Sequence, residues 1–152
     1  MTAPILFFGK SRPYFEFSNW YVGKPFEAEG KLWPTSEHWF MALKTLDEKA
    51  KEKIRKAKTP REAKDLAGPN GIIKLRDDWE DIKFDMMVRV LYEKFDQNIG
   101  LKVLLLSTGD AVLHEDCPDP FWGGGPNYPD GQDLLGKALM KVRETLRVEN
   151  LR

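Results

Sequence analysis

The sequence is short of the residues on which several common chemistries depend. It has one cysteine, Cys117, so no disulfide can form within the chain. A lone cysteine can be a nucleophile, but Asp116 and Asp119 on either side would raise a thiol pKa if they lie close, and Cys117 reads as structural. The two histidines, His38 and His114, are far apart and lie in no HExxH pattern. With no compact set of His, Cys and carboxylate ligands, neither a metal nor another cofactor is expected. There is no Walker loop and no GxSxG elbow, and Gly123-Gly124-Gly125 does not match GxGxxG. Net charge is missing as well, with 24 basic side chains against 24 acidic ones. That leaves no global field to gather DNA, RNA or an anionic membrane, although a local basic pocket stays compatible with it. Apolar runs such as 103–106 are far too short to cross a bilayer, so no membrane partner is expected. The N-terminus has neither the basic lead nor the long apolar stretch of a signal peptide, which makes a cytoplasmic location the expectation.

What is present fits an ordinary globular chain. The 152 residues suit a single domain, 1–152, with one core. Hydrophobic residues at 41% and charged residues at 32% need neither disulfide nor metal to hold a core of that size. Up to Trp33 the chain is dense in aromatics and broken by Gly9, Pro13, Gly23, Pro25 and Gly30, which predicts short strands and turns. Pro34 and Thr35 then open a helix that runs to about Lys44, with Thr35 as N-cap and Glu37 in the first turn. The segment 44–64 holds nine Lys or Arg against four Asp or Glu and reads as a solvated helical face. Thr59-Pro60-Arg61-Glu62 predicts another helix start, with a capping box and a Pro at the first position, and Gly68 stops it. A third helix begins at Asp77-Asp78-Trp79-Glu80, carries Phe84, Met87, Leu91 and Phe95 on one face, and ends or kinks at Gly100. A short helix at 101–106, a strand at 111–114, a Gly/Pro loop at 118–131 and a final helix capped by Asp133 complete the chain. The fold class is α+β, mainly helical, with short N-terminal strands.

Three local segments ask for a chemical account. Phe17-Ser18-Asn19-Trp20 sets polar groups between large aromatics, as a turn between strands also would. In Trp33-Pro34-Thr35-Ser36-Glu37-His38-Trp39-Phe40, the residues Glu37, Met41 and Lys44 share one helical face. A carboxylate and an amine beside Met41 are costly to bury without partners, so that face is either a site or an exposed ion pair. Asp116-Cys117-Pro118-Asp119-Pro120-Phe121-Trp122-Gly123 puts acids and a tryptophan ahead of flexible glycines, a loop of the kind that lines pockets.

These segments and the last helix resemble the NADAR, or YbiA-like, family. Phe17-Ser18-Asn19-Trp20 looks like its FSNF-type motif and Pro34-Thr35-Ser36-Glu37-His38 like its PTxEH motif, with Lys44 where that helix keeps a lysine. Ser107-Thr108-Gly109-Asp110, Glu115 and Asp119-Pro120-Phe121-Trp122-Gly123 follow its TGD…E…DxxWG order. Gly131-Gln132-Asp133-Leu134-Leu135-Gly136-Lys137-Ala138-Leu139-Met140 resembles its GxNxLGxxLM ending, and the resemblance runs in order along nearly the whole chain. Asp133 departs from it by standing where the family usually has Asn. A helix-capping role survives that change, whereas a role as amide donor does not.

The resemblance implies an N-glycosidase that breaks a ribose C1–N bond. The expected substrate is ADP-ribosylated guanine, as a nucleotide or in modified DNA or RNA. The alternative is a phosphoribosylated pyrimidine intermediate of riboflavin synthesis. Either bond breaks through an oxocarbenium-like transition state, which a carboxylate stabilises. Glu37 is assigned that role, with Asp119 as second carboxylate in the same pocket as Trp122. Asn19 is expected to bond the leaving base. Lys44 is expected to bind phosphate or ribose, or to form a transient imine with the opened sugar. Trp122 and Trp79 offer faces for stacking. The N–H groups of residues 123–125, or of the helix starting near Leu134, suit a phosphate. Phe17, Ser18, His38, Gly123 and Asp133 complete the expected substrate-binding set. A competing class is a non-catalytic ADP-ribose or nucleotide-binding module, but such a reader gains nothing from carboxylates beside the sugar.

Overall fold

The computed structural model describes residues 2–151. Six helices and a few short strands make an α+β fold. The chain forms two compact units, one made of the residues up to Ser18 and from Phe95 on, the other of Asn19–Lys94.

In the first unit, strand β1 (Ile5–Phe7) pairs in parallel with β4 (Leu113–Glu115), Ile5 opposite Leu113. Helices α5 (Ile99–Ser107) and α6 (Leu134–Asn150) belong to the same unit. Its core sets Phe7 and Phe95 against Phe17, at ring-centroid distances of 5.7 and 5.9 Å, and buries Leu113, Leu139 and Val142 completely. Edge-on aromatic pairs of this kind add about 0.5–1.5 kcal/mol beyond the area they bury. Arg143 of α6 is buried and donates to Thr108 Oγ1 at 2.9 Å and to the Ala111 carbonyl at 2.8 Å. Arg147 donates to the Gly109 carbonyl at 2.6 Å and pairs with Asp110 at 3.2 Å. The Thr108-Gly109-Asp110 motif therefore clamps the end of α5 to α6.

In the second unit, β2 (Phe26–Ala28) and β3 (Lys31–Trp33) form a hairpin with Phe26 opposite Trp33. Glu29 and Gly30 turn it with φ of 55° and 75°, the doubly positive pair that fits the twist of a two-residue hairpin. Helix α1 (Ser36–Ala42) follows, buried along its whole length. Thr35 caps it by accepting the His38 N–H at 3.1 Å. The helix ends two residues sooner than the sequence predicts, since Lys44 donates in a tight turn to Met41. Helix α2 (Glu48–Arg55) lies within the segment read only as a solvated face; it buries Ala50 and Ile54. Helix α3 (Pro60–Leu66) begins as predicted, Thr59 Oγ1 accepting from Glu62 at 3.1 Å, while the Glu62 side chain reaches back to the Lys58 N–H. Helix α4 (Trp79–Gln97) ends before Gly100, and that glycine is the second residue of α5 instead of a stop. Asp78 pairs with Arg76 at 2.6 Å. No helix among the described residues is long and apolar enough to cross a membrane.

Candidate active site

The expected site residues fall into two groups, one in each unit. In the second unit the group is built around α1. Glu37 is only 6% exposed although it stands in the helix's first turn. Its N–H donates to the Asn19 carbonyl at 3.2 Å, so backbone geometry ties Asn19 to the helix start. Asn19 is buried; its amide nitrogen reaches Met87 Sδ at 3.5 Å, and its Oδ1 has no hydrogen-bond partner in the protein. Ser36 Oγ, beside Glu37 in sequence, is likewise buried and unpaired. A buried polar atom left unpaired costs about 1–3 kcal/mol, so two in one neighbourhood call for an explanation such as ligand contact.

Lys44 is half-buried, and burial lowers its ammonium pKa below the usual lysine value. The Glu37 carboxylate opposes that shift; Lys64 and Lys83 reinforce it, and Glu80 opposes it. Lys64 and Lys83 were not singled out from the sequence, and the signal available for Lys64 was the basic excess in 44–64. Lys64 also lies over the Trp20 ring, 5.9 Å from its centroid, and Trp20 is 36% exposed.

Three expected binding residues are instead core. Phe17 is fully buried among Phe7, Phe95 and Tyr14. Trp79 is 4% exposed and packs on Phe40 at 5.1 Å, so its faces are not open to a base. His38 is 1% exposed with both ring nitrogens engaged, Nδ1 with Thr35 Oγ1 at 2.7 Å and Nε2 with the Ala57 carbonyl at 2.9 Å. A carbonyl only accepts, so Nε2 carries the proton and Nδ1 accepts from the threonine. Burial lowers the His38 pKa, against the Ala57 bond and Glu62. The unfolded ring therefore protonates first, near pH 6.5, and stability is complete above that pH and falls below it. We expect a slope of up to about 1.4 kcal/mol per pH unit between pH 6.5 and the lower folded value. His38→Gln should flatten it in urea titrations; an unchanged slope would move the titration elsewhere.

In the first unit the group lies in the loop after β4. Ser18 is buried and closes the short turn at Phe15–Phe17, its N–H donating to Phe15 at 2.9 Å. Asp119 is exposed, and its Oδ1 accepts from the N–H groups of Phe121 and Trp122, both at 2.9 Å. That carboxylate shapes the turn and leaves only Oδ2 outside those bonds. Trp122 is half-buried with its ring edge-on to Phe121, centroids 4.7 Å apart. Gly123 is buried and donates to the Asp119 carbonyl at 3.0 Å, and Gly124 donates to Glu115 at 3.0 Å. Leu134 and Leu135 donate to the Phe121 and Trp122 carbonyls at 3.1 and 3.2 Å. The two glycine N–H groups tie the loop to itself and to the end of β4, and the two leucine N–H groups hold it on α6, so these four donors of the expected phosphate cradle are already engaged by the chain itself. Asp133 occupies the N-cap position of α6 but makes no side-chain cap bond, which corrects the capping role read from the sequence. Cys117 is buried, and burial together with Glu115 pushes its thiol up to about 12, which removes it as a nucleophile at neutral pH. Among the described residues no cluster of three or more His, Cys, Asp or Glu side chains is placed to hold a metal.

The NADAR domain model matches residues 6–147. The chain belongs to the NADAR domain family. An N-glycosidase YbiA of Shigella flexneri is 42% identical over 146 residues, covering 95% of this chain and 89% of that protein. A riboflavin biosynthesis protein of Vibrio vulnificus is 36% identical over 149 residues, 97% of this chain but 40% of its own length. The NMR structure of Escherichia coli YbiA superposes with a TM-score of 0.87 at 39% identity, covering 99% of this chain and 89% of that one. This NADAR protein is accordingly an enzyme of the N-glycosidase class.

Proposed function

We propose that this protein hydrolyses the ribose C1–N bond of ADP-ribosylated guanine. The observation that carries the reading is the buried Glu37 carboxylate acting on a desolvated Lys44, with Lys64, Lys83 and Glu80 also within electrostatic reach of that amine. A carboxylate out of water stabilises the cation that develops at C1 far better than one in solvent. Several lysines suit the diphosphate of ADP-ribose, and the unpaired Asn19 Oδ1 and Ser36 Oγ suit a polar ligand.

The second reading, a phosphoribosylated pyrimidine intermediate of riboflavin synthesis, draws on the Vibrio relative's name. A side-by-side assay decides: release of ADP-ribose from ADP-ribosylated guanine in DNA, RNA or nucleotide, against release of base from the phosphoribosyl compound. Turnover of the second alone overturns the first reading, and binding of ADP-ribose with neither turnover returns the protein to a binding module.

Lys44 offers a pH test of the same reading. As an anion-binding ammonium it should lose affinity at a pH below the ordinary lysine range, because its pKa is lowered. KM should rise on that alkaline limb, Lys44→Arg should remove the limb, and Lys44→Met should raise KM by about tenfold or more at pH 7, roughly 1.4 kcal/mol. An unchanged KM in Lys44→Met would take the amine out of phosphate binding.

A further inference from the structure

The pair formed by His114 and Asp133 is used by nothing described so far. His114 stands on β4, and its Nδ1 lies 2.6 Å from Asp133 Oδ2. Both side chains are mostly enclosed, at 17% and 12% exposure. Asp133 holds a left-handed backbone, φ 59°, a conformation that costs a non-glycine residue on the order of 1 kcal/mol and persists only when its surroundings enforce it. In that conformation its N–H donates to the Gly123 carbonyl at 2.9 Å, while its side chain turns from the helix start to the histidine. Asp133 Oδ1 is buried without a partner.

The glycine segment rests directly on this pair. A Cβ on Gly124 would stand 2.5 Å from Asp133 Cβ, and one on Gly125 would stand 2.8 Å from the His114 ring. Gly125 has φ of +103°. The same stretch carries the Phe121 and Trp122 carbonyls that accept from Leu134 and Leu135. Losing the 2.6 Å bond would free Asp133 to relax its backbone, and with it the Asp133 N–H bond to Gly123 and the close seat of Gly124 on Asp133.

We infer that His114 is a positioning residue, which holds Asp133 in its left-handed conformation and thereby fixes the Trp122–glycine segment in the form that binds substrate. The histidine touches no reacting atom; it acts through Asp133. The inference rests on the proposed function only in that Trp122 is taken to meet the substrate.

Three single variants test it: His114→Phe keeps an aromatic ring and loses the donor, His114→Asn sets an amide N–H near the position of Nδ1, and Asp133→Ala removes the acceptor. Amide hydrogen exchange at residues 121–125 and 133–135 is measured on each, with KM and kcat on the ADP-ribosylated guanine substrate. His114→Phe should speed exchange there at least tenfold while α4 amides keep wild-type rates, and should raise KM about tenfold with kcat changed less than threefold. His114→Asn should restore both. If His114→Phe does not fold, Asp133→Ala alone must speed exchange in the same segment. Wild-type exchange in folded His114→Phe overturns the inference, as does faster exchange with unchanged KM. A wild-type protein that neither cleaves nor binds ADP-ribose sinks the proposed function, while exchange still decides whether the pair holds the loop.

Discussion

Glu37→Gln is expected to fold normally and to lose roughly a hundredfold to a thousandfold in turnover, about 3–4 kcal/mol of transition-state stabilisation. Glutamine is nearly isosteric and almost as good a helix former. The lost interaction with the helix dipole costs about 0.3–1 kcal/mol. The carboxylate is buried in the first turn of α1, with its backbone anchored to Asn19, so the substitution perturbs charge and little else. In the proposed mechanism the developing cation at C1 meets that charge in a water-poor setting where electrostatic effects are large. Ground-state binding of an anionic ligand should hold or tighten, because a negative charge beside it is gone. A second readout follows from Lys44. Glu37 raises the Lys44 pKa against burial, so removing the carboxylate should move the alkaline limb of KM to still lower pH. The measurements are melting temperature, ADP-ribose binding and single-turnover cleavage on one preparation. Near-normal cleavage in a folded variant would remove Glu37 from the mechanism and leave Asp119 as the leading carboxylate.

The parts of this protein that the sequence made legible are those whose cause is local. The caps at Thr35 and Thr59 depend on residues three positions away, and both form as read. The chain segments proposed to hold the site are marked by polar residues set among aromatics. Which of those aromatics face a ligand was not legible, because Phe17 and Trp79 are buried by residues distant in sequence, Phe95 and Phe40 among them. His38 misleads for the same reason, since one of its two bonds reaches Ala57. Asp133 carries an N-cap residue type in an N-cap position, yet its carboxylate goes to His114, nineteen residues back, and nothing within one helical turn reveals that. Helix α2 was passed over because its charged face dominates, and only Ala50 and Ile54 mark the buried side.

Gly136→Ala shows how far local preference and tertiary contact can diverge. Within a helix, alanine is favoured over glycine by about 1 kcal/mol. Gly136 is the third residue of α6, so propensity alone predicts a gain. A Cβ there would lie 2.0 Å from the Leu113 carbonyl oxygen of β4. That oxygen is backbone, held in a strand paired with β1, and has no rotamer through which to move away. Relief requires α6 to draw back from β4, and Leu135, Ala138 and Leu139 on the same turns are at most 1% exposed. Overpacking of this kind costs about 1–3 kcal/mol and more where the neighbour is rigid. The clash therefore outweighs the propensity gain, for a net loss of about 2 kcal/mol or more, which lowers Tm by roughly 4–8 °C in a chain of this size. Gly100→Ala is the matched control. Gly100 is the second residue of α5, exposed, with nothing within 4 Å of its added Cβ. There propensity should act unopposed, and Tm should hold or rise by a few degrees. Thermal melts of the two variants beside the parent chain decide the matter. A Gly136→Ala protein that melts with the parent would mean that α6 and β4 do not approach through this glycine.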